Sequence, residues 1–191
     1  MISHYNVIAN TLQIKTFDEV SRNQLKNPDQ DVYVENVLGL LPFSHIYGLV
    51  AITHASFFRG DSVVVLPRFE FRSFMRAVEV YQINTLYLVP PIIIIMINSK
   101  KILDQFDLSH VRAIFTGAAP LRRETSDALH EIFPHWVIRQ GYGLTETSTV
   151  VSSTANFDTC PGSAGSLVSG VEARILSVDG KGLTGHDQPG E

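Results

Sequence analysis

The chain has 191 residues, 45% of them hydrophobic, so it is long enough to bury a sizeable core as one domain or a large part of one. A formal charge of -4 and a pI near 5.9, with basic residues scattered along the chain, exclude the electrostatic footprint of a nucleic-acid binder. One cysteine, Cys160, excludes an intrachain disulfide and fits a reducing compartment. The longest apolar stretch, residues 86–97, contains Pro90 and Pro91 and falls short of the roughly 20 residues that a membrane span needs.

The amino terminus has neither the basic region nor the apolar core of a secretory signal. Ser3 suits the cap of a first helix in which Tyr5, Ile8 and Leu12 share one stripe, and the polar run 21–31 then reads as a loop. Residues 34–41 form a mostly apolar run ending at Pro42, and 46–58 have the length and apolar density of a buried helix. Residues 62–66, with three consecutive valines, predict a short buried strand, and 71–81 a helix with Phe74, Val78 and Tyr81 on one face.

The alternation continues with a strand at 85–89, a helix opened by Pro91 and running to Ile97, and a strand at 111–115. A helix at 121–133 and a short strand at 136–138 lead into a loop at 141–146. Residues 171–178 then alternate apolar with polar ahead of Asp179-Gly180, as a hairpin would. Repeated strand and helix segments imply an α/β fold, a largely parallel sheet flanked by helices, with a β-rich antiparallel appendix at the carboxyl end.

Chemistry concentrates in three places. Gly117-Ala118-Ala119-Pro120 puts small residues where a strand should end, so a flat ligand can approach the backbone closely. The same residues also suit a strand-to-helix turn chosen for packing alone. Gln140-Gly141-Tyr142-Gly143-Leu144-Thr145-Glu146 offers two flexible glycines, an aromatic face, a hydroxyl and a carboxylate that suit a purine, a phosphate and a magnesium ion. It lacks the Gly-Lys-Ser/Thr ending of a P-loop, and Glu146 alone reads equally as a solvated charge. His45, within Pro42-Phe43-Ser44-His45-Ile46-Tyr47-Gly48, follows a predicted strand and can orient a carboxylate, although a lone histidine is more often structural.

Asp127, Glu131, Arg122 and Arg123 read as a solvated helix face. There is no Cys/His spacing for zinc, no Gly-x-Ser-x-Gly elbow and no Gly-x-Gly-x-x-Gly turn, which argues against hydrolase and dehydrogenase chemistry.

Residues 42–48, 116–121, 140–146 and the segment Gly162-Ser163-Ala164-Gly165 occur in the order and approximate spacing of the adenylate-forming (AMP-binding) superfamily. Among its branches the chain most resembles the acyl-CoA synthetases of the 4-coumarate:CoA ligase-like type. The resemblance implies a two-step ligase that joins a carboxylic acid to ATP as acyl-adenylate and then transfers the acyl group to coenzyme A. It implies that Gly117, Ala118, Ala119 and Pro120, with Gln140, Gly141, Tyr142, Gly143 and Thr145, form the nucleotide site. Within it, Tyr142 stacks on adenine, Thr145 contacts phosphate and Glu146 binds Mg2+. His45 orients the acyl carboxylate, and Tyr47, Gly117, Ala118, Gly141 and Gly143 shape the acyl pocket. His45, Thr145 and Glu146 are the catalytic candidates.

In the superfamily a phosphate loop ending Pro-Lys-Gly lies just upstream of a stretch like Ile2-Ser3-His4. A ribose-binding aspartate and a domain with an adenylation lysine lie downstream of one like Pro189-Gly190-Glu191. The expectation is therefore a partial AMP-binding domain over 1–191, with both flanks absent and the isolated chain inactive. The carboxyl end, just past a turn-rich segment with no targeting tail, reads as cut. Two other readings stand beside it: a truncated paralogue that binds nucleotide or acyl ligand, or associates with an intact ligase, without turnover; and a piece of a peptide-synthetase adenylation domain. An apolar aryl or medium aliphatic acid is the expected substrate. Cytoplasm is the default compartment, with a peroxisomal address open because it would sit at a full carboxyl terminus.

Overall fold

A computed structural model describes residues 1–26, 29 and 31–191. Its centre is a seven-stranded sheet in the order β2-β1-β3-β4-β5-β6-β7, formed by Asn36–Gly39 (β1), Ser62–Val65 (β2), Thr85–Leu88 (β3), Ala113–Thr116 (β4), Val137–Leu144 (β5), Thr149–Ser153 (β6) and Ser166–Leu167 (β7). The first five strands in that order run parallel, whereas β5-β6 and β6-β7 pair antiparallel. A separate two-stranded ribbon, Ile175–Leu176 (β8) with Gly182–Leu183 (β9), is the hairpin expected near Asp179-Gly180.

Alternation within each strand feeds two cores. Leu38, Leu86, Leu88 and Ile114 point to one face and meet Phe71–Val80 (α3), Pro90–Asn98 (α4) and Arg123–Ile132 (α6) through Phe74, Ile93, Met96 and Leu129. Val37, Tyr87 and Phe115 point to the other face, against His4–Leu25 (α1) and the helix that follows β1. Strands covered on both sides have no polar face to show, which is why their sequences read as continuous apolar runs. Each fully buried Leu, Ile or Phe contributes about 1.5–3 kcal/mol. The short Lys100–Leu103 helix (α5) completes the crossover from β3 to β4.

One expectation about the first helix fails. The helix continues to Leu25, so the first part of the loop expected at 21–31 is helical; residues 27, 28 and 30 lie outside the described residues. Tyr5, Ile8 and Leu12 do share a stripe, but it faces solvent, Tyr5 being 78% exposed. The buried face lies about half a turn away and holds Asn10, Thr11, Ile14 and Ser21. Asn10 decides the orientation: its side chain donates to the Val150 carbonyl at 2.7 Å and accepts the Val150 N–H at 3.0 Å, pairing with β6 as a strand would. Ser3 caps the helix as expected, in a reciprocal capping box with Asn6.

The buried helix expected at 46–58 forms in two parts. Tyr47–His54 is a π-helix, and Ala55–Arg59 (α2) continues it as an α-helix. The wide turns show in bonds that reach five residues back, from Ala55 N–H to the Val50 carbonyl and from the Thr53 hydroxyl to the Gly48 carbonyl at 2.8 Å.

Candidate functional site at the carboxyl ends of the strands

Strand order reverses at β1, with β2 on one side and β3 on the other, and a crevice opens beyond the carboxyl ends of the strands at such a reversal. A cleft of about 280 Å³ lies there, lined among others by His45, Tyr47, Gly117, Ala118, Tyr142 and Glu146. Three separate strand ends therefore deliver the three sequence segments to one place. His45 and Tyr47 follow β1, Gly117 and Ala118 follow β4, and residues 141–146 come from β5 and its turn.

Tyr47 is the buried wall of this cleft. Its hydroxyl donates to the Phe115 carbonyl at 2.9 Å, tying the start of the π-helix to the end of β4. Burial, with the Tyr87 hydroxyl beside it, pushes the Tyr47 phenol well above its ordinary pKa, so it stays a neutral donor. His45 is exposed at the rim, and its Nδ1 accepts the Tyr47 N–H at 3.1 Å. That bond assigns the proton of the neutral ring to Nε2, which is the nitrogen free to meet a ligand.

The segment expected as a loop at 141–146 is largely strand. Gly141 to Leu144 belong to β5 and pair with Thr149 to Ser153, with a register shift between Tyr142 and Gly143. The glycines are consequently fixed in place, not flexible. A Cβ at Gly141 would lie 2.5 Å from the Phe115 ring, and one at Gly143 would overlap the Thr149 carbonyl. Thr149 compensates with φ 120°, an outlier for a β-branched residue, and Ala118 across the cleft sits at φ 66°. Backbone strain of this kind clusters at ligand sites.

After β5 the turn uses some of its polar groups and spares others. The Thr147 hydroxyl donates to the Leu144 carbonyl at 3.0 Å and accepts the Leu144 N–H at 2.9 Å. The Thr145 hydroxyl and Glu146 carboxylate make no hydrogen bond among the described residues and stand exposed at the cleft, beside the half-exposed ring of Tyr142. An exposed carboxylate with a neighbouring hydroxyl fits Mg2+, which usually takes one or two carboxylates and fills its sphere with water and phosphate oxygens. Among the described residues no cluster of three His, Cys, Asp or Glu side chains could hold a metal by itself.

Ala119, Pro120 and Gln140 stand apart from the cleft lining. Ala119 and Pro120 are exposed in the turn after β4. Gln140 is a strut: its side chain accepts the Leu121 N–H at 2.7 Å and donates to the Ser163 carbonyl at 3.2 Å, pinning the turn before α6 and the 162–165 segment to β5. Residues that sequence reasoning missed are Phe115, Thr149 and Val150, which line the cleft, and Arg139 behind it. The period of two in a strand offered a signal for Arg139, since it shares a face with Gly141 and stands in register with Phe115.

The amino ends of the same strands hold an ionic lattice. The Asp61 carboxylate, fully buried, accepts from Arg22 at 2.5 Å, Arg59 at 2.9 Å and the Glu35 N–H at 3.0 Å. Asp18 accepts from Arg139 at 2.8 Å and Arg59 at 3.4 Å. Burial raises the Glu35 pKa above the usual carboxylate range, with Arg22 and Arg59 opposing the shift.

An open cleft at the switch point of a doubly wound sheet, with strained backbone, an exposed aromatic face and a carboxylate unpaired among the described residues, is the usual ligand-binding arrangement of an α/β protein. The family profile of the AMP-binding enzymes matches residues 1–191, and the chain belongs to that family. It is 38% identical over 191 residues to the acyl-CoA ligase cm3C of Cordyceps militaris, covering all of this chain and 29% of that protein. It is 40% identical over 191 residues to the acyl-CoA ligase lcsD of Purpureocillium lilacinum, covering all of this chain and 47% of that one. The chain thus spans less than half the length of these relatives. Its fold matches ATP-bound MatB of Rhodopseudomonas palustris with a TM-score of 0.80 at 24% identity, over 98% of this chain and 34% of that one.

Proposed function

We propose that the chain forms the acyl- and adenine-binding part of an acyl-CoA synthetase, which condenses a carboxylic acid with ATP and passes the acyl group to coenzyme A. The observation that carries this reading is the convergence of His45, Tyr47, Gly117, Ala118, Tyr142, Thr145 and Glu146 on one cleft. The membership of the family and the acyl-CoA ligase relatives support the reaction class.

In this reading adenine stacks on the half-exposed Tyr142 ring, worth roughly 0.5–1.5 kcal/mol beyond its buried area. Thr145 donates to a phosphate oxygen. Glu146 holds Mg2+, which neutralises phosphate charge when bound. The His45 Nε2–H donates to the acid and keeps its attacking oxygen aimed at the α-phosphorus. Positioning and charge neutralisation suffice, because the carboxylate is itself the nucleophile. The acyl group, an apolar acid, lies between Tyr47 and the Gly117 and Gly141 backbones.

A second reading, binding of nucleotide or acyl ligand without turnover, rests on a specific feature. No Lys or Arg is among the described residues lining the cleft, so this segment supplies no cation to the triphosphate. Incubating the chain with ATP, Mg2+, coenzyme A and aryl or medium aliphatic acids, while measuring AMP release and ligand binding, separates the two. Acid-dependent AMP release supports the ligase; where the chain binds without releasing AMP, the same assay on the chain joined to the flanking segments of a relative such as lcsD decides, AMP release then supporting the ligase and its absence the second reading. Failure to bind ATP or an acyl-adenylate mimic removes both.

A further inference from the structure

Three adjoining cavities run from the carboxyl-end cleft to the amino ends of the strands. The cleft and a small void of about 20 Å³ share Phe115 and Val150 as lining, and that void shares Asp18, Tyr87 and Arg139 with a cavity of about 280 Å³ at the amino ends of the strands. The void holds no more than one water molecule. Phe115 is therefore the partition between the cleft and the interior, with its ring edge resting on the Gly141 backbone.

What holds the partition is a charged group. The Arg139 guanidinium lies 5.3 Å from the centre of the Phe115 ring, with the Tyr87 and Tyr47 rings 5.7 and 6.1 Å away. Arg139 is only 8% exposed and cannot swing, because its Nε donates to the Thr154 carbonyl at 2.8 Å and its Nη2 to Asp18 on α1 at 2.8 Å and to Ser153 at 3.2 Å. A cation stacked on an aromatic face and anchored by a desolvated carboxylate keeps the ring in one position.

We propose that the Asp18–Arg139 pair is a specificity-setting device that fixes Phe115 as the floor of the acyl pocket and limits the ligand to compact aryl or short branched acids. The inference rests on the acyl-binding reading of the cleft. Arg139 is a positioning residue, acting on the ligand through Phe115. Without the pair nothing fixes the Phe115 ring, which moves aside towards the space that the guanidinium occupies, and the cleft then opens towards the amino-end cavity and admits a long alkyl tail.

The test uses the full chain and stable acyl-adenylate mimics, acyl sulfamoyl adenosines running from acetyl through cinnamoyl to dodecanoyl, with affinity measured by calorimetry. The native protein should bind the cinnamoyl mimic and reject the dodecanoyl one. Phe115→Ala should raise the dodecanoyl-to-cinnamoyl affinity ratio at least about tenfold. Arg139→Met and Asp18→Asn should move it in the same direction by less, while Arg22→Met, which breaks the lattice away from Phe115, should leave it unchanged. If Phe115→Ala leaves the ratio unmoved, or a folded Arg139→Met weakens every mimic equally, the device is overturned and the acyl-binding reading survives. Absence of binding at every length in the native protein overturns both.

Discussion

At the amino ends of the parallel strands, the buried Glu35, Asp61, Arg59 and Arg139 and the partly buried Arg22 and Asp18 are partnered with one another. At the carboxyl ends, Thr145 and Glu146 are exposed and unpartnered among the described residues, and the backbone around them is strained at Ala118 and Thr149. The two ends differ in what their polarity is for. Groups that satisfy each other fix the fold and have little left for a ligand. Groups left open at a switch point await one. Charge density alone points to the amino ends of the sheet, where the groups are already spent on one another.

The hardest test of this contrast is Asp61→Ala. It removes the carboxylate that Arg22 and Arg59 share, leaving them only Glu35 and Asp18 as acidic partners, and leaves the Glu35 N–H without its acceptor. Breaking a buried pair this way costs about 3–5 kcal/mol. Urea unfolding should show a loss of that size, and a loss below about 1 kcal/mol would mean that the lattice is too hydrated to be structural. Gly141→Ala comes next. Its methyl meets the Phe115 ring, and overpacking of this kind costs about 1–3 kcal/mol. Its unfolding midpoint should fall, and its affinity for an acyl-adenylate mimic should fall further because the ring is forced away from the strand.

The carboxyl-end cleft was legible in the sequence because small residues after an apolar run mark a strand end wherever they occur, as at Gly117 to Ala119. The amino-end lattice was not. Arg139 and Asp18 are 121 residues apart, and each alone looks like an ordinary surface charge. The α1 stripe was legible but its direction was not: apolar periodicity picks out Tyr5, Ile8 and Leu12, whereas the two hydrogen bonds of Asn10 to Val150 turn the opposite face inward. Gly141 and Gly143 were visible as glycines, but their reason, close contact with Phe115 and Thr149, depends on strand pairing. Hydrophobic pattern reports which segments are buried, and long-range polar pairing reports which way they turn.

Glu35 sharpens the comparison through pH. Burial raises its folded pKa, so between the ordinary carboxylate value and the raised one the native state binds more protons than the unfolded state. Stability from this group is present below the ordinary value and is lost as pH rises through the raised one, by up to about 1.4 kcal/mol per pH unit. Glu35→Gln should remove that part of the slope in unfolding free energy measured across the mildly acidic range. An unchanged slope would place the carboxylate in water, contrary to its burial.

Glu146→Gln should have the smallest effect on folding and the clearest effect on ligand. The side chain is exposed and makes no bond among the described residues, so removing its charge should shift stability by no more than about 0.5 kcal/mol. Mg2+-dependent nucleotide affinity should drop, because an amide oxygen is a weaker ligand than a carboxylate for a hard cation. Metal-free binding should stay as it was. Urea unfolding reads the stability, and titrating ATP with and without EDTA against both proteins reads the two affinities. A variant that still binds ATP more tightly with Mg2+ than without, to the native extent, would show that the carboxyl-end carboxylate is a solvated charge, and the division between the two ends of the sheet would lose its functional half.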